Sequence, residues 1–192
     1  SKAITLNGAV TATNDVSLKA NGGDITTTAK VAATNGNVTM GASGNVSIGG
    51  TVDAGTDVTM TAGAGIALNG AVTANRDVSL KANGGDITTT AKVAATNGNV
   101  TMGASGNVNI NETVTAGNNV TMDAGAGIAL NGAVTATNDV SLKAKGGDIT
   151  TTAIATTTGK NVTMDASKAI TLNGAVTADN DVSLKAKGGD IT

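Results

Sequence analysis

The sequence predicts an all-β fold: a single-stranded, right-handed parallel β-helix of about nine turns, each of 20–21 residues and three short strands. Three observations predict it. The first is a long repeat. DVSLKANGGDIT at residues 15–26 returns unchanged at 77–88, and with Lys in place of Asn21 at 139–150 and 181–192. The starts lie 62, 62 and 42 residues apart. The second is a finer period inside the 62-residue unit. Ile4, Ile25, Val46, Ile66, Ile87, Val108, Ile128, Ile149, Ile170 and Ile191 follow one another at steps of 21, 21 and 20, twice over, and then at 21 in each of the last three steps. The third is apolar-polar alternation at period two, the mark of a strand with one buried face. Helix is a poor rival, because Val, Thr, Asn and Gly are weak helix formers.

The elements follow in order within a turn. The first strand is Ile4-Thr5-Leu6, the second Val10-Thr11-Ala12, the third Val16-Ser17-Leu18. The second opens at Val in eight turns, from Val10 to Val176, and the third at Val in all nine, from Val16 to Val182. Pieces such as Asn7-Gly8, Asn35-Gly36 and Gly22-Gly23 separate them and favour turns and positive φ. The sides are unequal, unlike the three equal six-residue sides of a left-handed hexapeptide helix, which favours right-handed coiling. Residues 1–192 read as one β-helical segment. Because SKAITLNGAV occupies both 1–10 and 167–176, it is expected to be an excerpt of a longer array.

Three columns should run inside the rod. One is the Ile/Val file above, from Ile4 to Ile170. The next is Leu6, Thr27, Ile48, Leu68, Thr89, Ile110, Leu130, Thr151 and Leu172. The third is Leu18, Met40, Met60, Leu80, Met102, Met122, Leu142, Met164 and Leu184, and it holds all five methionines, which adapt to irregular gaps. Thr27, Thr89 and Thr151 point inward, so each hydroxyl is expected to donate to a backbone carbonyl or a buried water. Just before the third strand stands an Asx residue in every turn: Asp15, Asn37, Asp57, Asp77, Asn99, Asn119, Asp139, Asn161 and Asp181. This predicts a stacked corner ladder of side chains in which only Asp57 and Asp77 meet as like charges. Lys143, Asp165 and Lys185 should stack with alternating sign. One turn is irregular. Ungapped, Ile154 falls outward and Ala155 takes the Val position, so a local bulge turning Ile154 inward is expected.

Composition narrows the function. The chain has no Phe, Tyr, Trp, His, Cys or Pro, and its net charge is −2. Complete absence of Pro fits a continuous backbone ladder. Lys and Asp are interspersed, which speaks against nucleic acid as a partner. No apolar run reaches membrane-spanning length, so membrane insertion is not expected. Zero cysteines exclude disulfides and thiolate metal sites.

Candidate sites read blandly. Asp53, Asp57 and Asp77 lie near one edge, and a solvated corner accounts for them; catalysis is not expected. Gly-Gly-Asp recurs at Asp24, Asp86, Asp148 and Asp190, but this is not the calcium nonapeptide, and a turn closed by an Asx side chain is the simpler reading. Thr26/Thr28, Thr88/Thr90 and Thr150/Thr152 make Thr-x-Thr pairs that could order water, yet only in one turn of three, so ice binding is the weakest reading retained. Glycine pairs precede strands, not helix N-termini, so a phosphate cradle lacks its logic. No metal or cofactor is expected.

The repeats GNVTMGASGNVSI (36–48) and AGNNVTMDAGAGIAL (116–130) resemble filamentous haemagglutinin-type repeats of large exoproteins from two-partner secretion systems in Gram-negative bacteria. The resemblance covers the whole chain. It implies a right-handed β-helical shaft, secreted and exposed on the bacterial cell surface, in an adhesin or contact-dependent toxin stalk. The implied role is structural: holding a distal functional region away from the cell. Implied partners are further repeats of its own kind or identical chains end to end, and a host or neighbour-cell receptor engaged by a region outside this sequence. A self-assembling extracellular fibre subunit stays open beside it.

Overall fold

A computed structural model describes residues 2–157 and 160–192. Each coil lays down one strand in each of three sheets. The first turn contributes β1 (Ile4–Leu6), β2 (Val10–Ala12) and β3 (Val16–Ala20). Each of these opens a parallel, nine-stranded sheet running the length of the rod. Every strand between the first and last turns is hydrogen-bonded to the strand one turn below and one turn above, in chain order. The fold is therefore a parallel β-solenoid with three strands per turn and no helix among the described residues.

Register is in phase throughout. Ile4 pairs with Ile25, Ile25 with Val46, and the file continues to Ile149 with Ile170. Leu18 pairs with Met40 and Met40 with Met60, ending at Met164 with Leu184. A slip of one residue would turn every inward side chain to solvent, so the buried face enforces this register. From Ile25 to Ile170 the first file is at most 2% exposed, and from Met40 to Met164 the methionine-bearing file at most 1%. Ile4, Leu18 and Leu184 are only half-buried, because the terminal turns have a neighbour on one side alone.

Three expectations are corrected. Ile154 is 51% exposed, and no bulge turns it inward. Its carbonyl accepts from Val134 N–H at 2.9 Å, and Ala155 N–H donates to Ala175 at 3.1 Å, so Ala155 sits in line between Val134 and Val176. Turning Ile154 inward would break that ladder. Burying an isoleucine is worth about 1.5–3 kcal/mol, less than several orphaned backbone groups cost. The core narrows at Ala155 instead.

The second correction concerns the turns. No described residue, glycine included, has positive φ. Glycine is required by close approach between coils. A methyl group placed on Gly50, Gly70, Gly132 or Gly174 would lie well inside 3.0 Å of the backbone of the coil below. Gly8, in the first turn, would meet nothing within 4 Å.

The third concerns the backbone-carbonyl partner expected, as one of two alternatives, for the inward threonines. Thr27, Thr89 and Thr151 are fully buried, and their hydroxyls have no hydrogen-bond partner among the described residues. No backbone carbonyl takes them up. A buried hydroxyl without a partner costs on the order of 1–3 kcal/mol, while an apolar group of the same shape does not. Thr27→Val, Thr89→Val and Thr151→Val together are therefore expected to stabilise the rod by about 1 kcal/mol per site, read as a rise in the urea midpoint.

Candidate functional surface: the polar ladders

With the aliphatic residues inside, all remaining chemistry lies on outward columns. The corner ladder is continuous across all nine turns. Asn37 N–H donates to Asp15 Oδ1 at 2.7 Å, and Asp57 N–H to Asn37 Oδ1 at 3.2 Å. The series runs on through Asp77 (3.0 Å), Asn99 (2.7 Å), Asn119 (3.2 Å), Asp139 (3.0 Å), Asn161 (3.0 Å) and Asp181 (3.2 Å). Each side-chain oxygen thus receives the backbone N–H of the coil above. Asn37, Asn99, Asn119 and Asn161 add a second bond through Nδ2. Asx is needed here because its short side chain ends in an acceptor that reaches one strand spacing upward.

The single like-charge step is also where the chain's one arginine sits. Arg76 Nε donates to Asp57 Oδ1 at 3.2 Å and Nη2 to Oδ2 at 2.9 Å, a bidentate grip beside Asp77. Asp53 belongs elsewhere. It lies in the strand Val52–Ala54 and pairs with Lys30 at 2.9 Å. The three carboxylates are not brought to a common point, and no group of three or more His, Cys, Asp or Glu among the described residues is arranged to hold a metal ion.

A second Asx ladder stands before the first strand. Asp24 Oδ1 accepts Asn45 N–H at 2.6 Å, and Asn45 Oδ1 accepts Gly65 N–H at 3.0 Å. Gly65 has no side chain to pass the bond on. The pattern restarts at Asp86 with Asn107 and Gly127, and Asp148 accepts from Ala169 N–H at 2.9 Å. The Gly-Gly-Asp aspartates Asp24, Asp86 and Asp148 therefore tie one coil to the next. The second member of each Thr-x-Thr pair is likewise engaged: Thr28, Thr90 and Thr152 hydroxyls donate to Asn7, Asn69 and Asn131 of the coil below. Their row is interrupted at Ala67 and Ala129.

Lys143, Asp165 and Lys185 do stack in register. The ion pairs, however, use lysines two residues further on: Lys145 to Asp123 at 2.7 Å and Lys187 to Asp165 at 2.8 Å. The repeats carry the partners as a unit. Where the lower position is Thr61, the upper is Asn83; where it is Asp123 or Asp165, the upper is Lys145 or Lys187. The hydrogen bond from Lys187 holds the Asp165 carboxyl below the usual range; burial opposes it, and the charges of Lys187, Lys185 and Lys143 add to it. A depressed folded-state value contributes stability that is present above the unfolded value, at pH about 4, and is lost as pH falls through the folded one. Asp165→Asn is therefore expected to lower the urea midpoint equally at all pH values above about 5, and the gap should close as acid protonates the parent.

One column was missed by reading the sequence. Ser17, Thr39, Thr59, Ser79, Thr101, Thr121, Ser141, Thr163 and Ser183 form an unbroken outward row on the third sheet. Its signal was available, since every third strand reads Asx-Val-Ser/Thr. With the Asx ladder the row borders a long, shallow groove over Asp77, Ser79, Asn99, Thr101 and Asn119. A second hollow opens over Gly103, between Lys81 and Asp123, where the glycine leaves the outward column without a side chain. Both are open troughs on a flat face. No family model matches the chain, and neither a curated protein nor a solved structure matches it.

Proposed function

We propose that the chain is a structural, non-catalytic shaft segment of a secreted filamentous adhesin on a bacterial cell surface, holding a distal functional region away from the cell. The observation that supports this most is the continuity of the inter-coil bonding. Three parallel sheets and an Asx corner ladder link every coil to the next, so load along the axis is shared by many hydrogen bonds. The resemblance of the repeats to filamentous haemagglutinin-type exoproteins supports the secreted, adhesin-type setting. On this reading the receptor contact belongs to another part of the protein, and length is the property supplied.

The test is a length series. Removing one 62-residue unit takes out three coils, about 14 Å of rod at 4.8 Å per strand. Displayed between a cell-surface anchor and an epitope tag, rods of increasing coil number should raise the tag in proportion. A tag height that ignores coil number would sink the proposal. A self-assembling fibre subunit is the alternative, since the in-register coils of one copy are a template for pairing with those of another. Long filaments of the isolated chain would favour it.

A further inference from the structure

We infer that the third sheet is a self-complementary interaction surface on which two copies of this chain pack side by side, rods parallel and coils level. This inference does not depend on the shaft reading.

The face carries three outward columns: the Asx ladder on one edge, the Ser/Thr row in the middle, and on the other edge Lys19, Gly41, Thr61, Lys81, Gly103, Asp123, Lys143, Asp165 and Lys185. In four coils the strand reads Asp-Val-Ser-Leu-Lys, so opposite charges stand at opposite edges of one strand. A two-fold axis along the Ser/Thr row lays each edge on the other edge of the partner at the same level. Asp15, Asp77, Asp139 and Asp181 then face Lys19, Lys81, Lys143 and Lys185 of the second copy. Asn37 and Asn99 face glycines, Asp57 faces Thr61, and Asn119 and Asn161 face Asp123 and Asp165. No coil brings like charges together. The antiparallel alternative lays Asx on Asx and loses every one of these pairings.

The middle of the face suits close packing, since small hydroxyl side chains let two sheets approach to about 10 Å. Nine strands at 4.8 Å by about 15 Å of outward width make roughly 600 Å² per copy, which meets the lower limit for a specific interface. The other two sheets lack this symmetry. The first has acidic residues on one edge and no bases opposite, and the second has Lys30 and Lys92 on one edge with no acid opposite in those coils.

The test uses sedimentation of the purified chain with single cysteines, since none is native. At low salt the parent should form a dimer of micromolar affinity that weakens about tenfold or more at 1 M salt. Lys81→Glu with Lys143→Glu should abolish it while leaving the β-sheet circular dichroism unchanged. Ser17→Cys, at the end of the row, should be linked to its own copy by a short bis-maleimide, and Thr73→Cys on the second sheet should not. A parent that stays monomeric at 100 µM, or linkage through Thr101→Cys with none through Ser17→Cys, overturns the inference.

Discussion

Gly132→Ala is expected to cost about 3 kcal/mol, the upper end of ordinary overpacking, and to lower the melting midpoint by roughly 6–12 °C for a chain of this size. The added methyl would fall inside contact distance of the Glu112 carbonyl oxygen, carbonyl carbon and Cα. All three are backbone atoms in a coil already tied by the Gly132 N–H to Ile110 oxygen bond of 3.0 Å, so no rotamer change relieves the clash. Gly103→Ala is the control. Gly103 lies mid-strand on the outward face, and a methyl there meets nothing within 4 Å. That change should be neutral or stabilise by about 0.5–1 kcal/mol, because glycine in a strand loses more entropy on folding. Two equal penalties would mean that glycine serves backbone conformation and not coil spacing.

The second large effect is expected in the core. Met122 is fully buried between Met102 and Leu142, and Met122→Ala should lose about 2–5 kcal/mol through the lost transfer energy and the cavity left behind. Leu18→Ala removes a side chain of similar size from the half-buried first coil and should lose less than half as much. A solenoid is stabilised coil by coil through its neighbours, so the central lesion also threatens the coupling between the two halves. Denaturation of Met122→Ala followed at two positions should therefore show transitions that separate, whereas the parent's coincide.

These contrasts bear on what the sequence discloses. The Ile4-to-Ile170 file, the methionine column and the Asx corner were legible because each repeats at a fixed step and alternates with outward residues. What could not be read was set by forces that leave no periodic trace. Ile154 looks like a core residue by hydrophobicity, but the ladder between Val134 and Val176 claims Ala155. The Asn-Gly pairs look like positive-φ turns, yet the demand on Gly132 comes from a coil 20 residues earlier. The partners of Asp123 and Asp165 depended on side-chain reach, which favoured Lys145 and Lys187 over the in-register Lys143 and Lys185. The Ser/Thr row was visible but lacks a burial signal, and so reads as ordinary surface until the sheet is assembled.

Each coil of the rod climbs by one strand spacing, and spin-label distances test this most directly. Labels at Thr39 and Thr121, four coils apart in the third sheet, should lie about 19 Å apart, and labels at Thr39 and Thr163, six coils apart, about 29 Å. Distances that rise by about 4.8 Å per coil are the expected result; distances unrelated to coil number would contradict it.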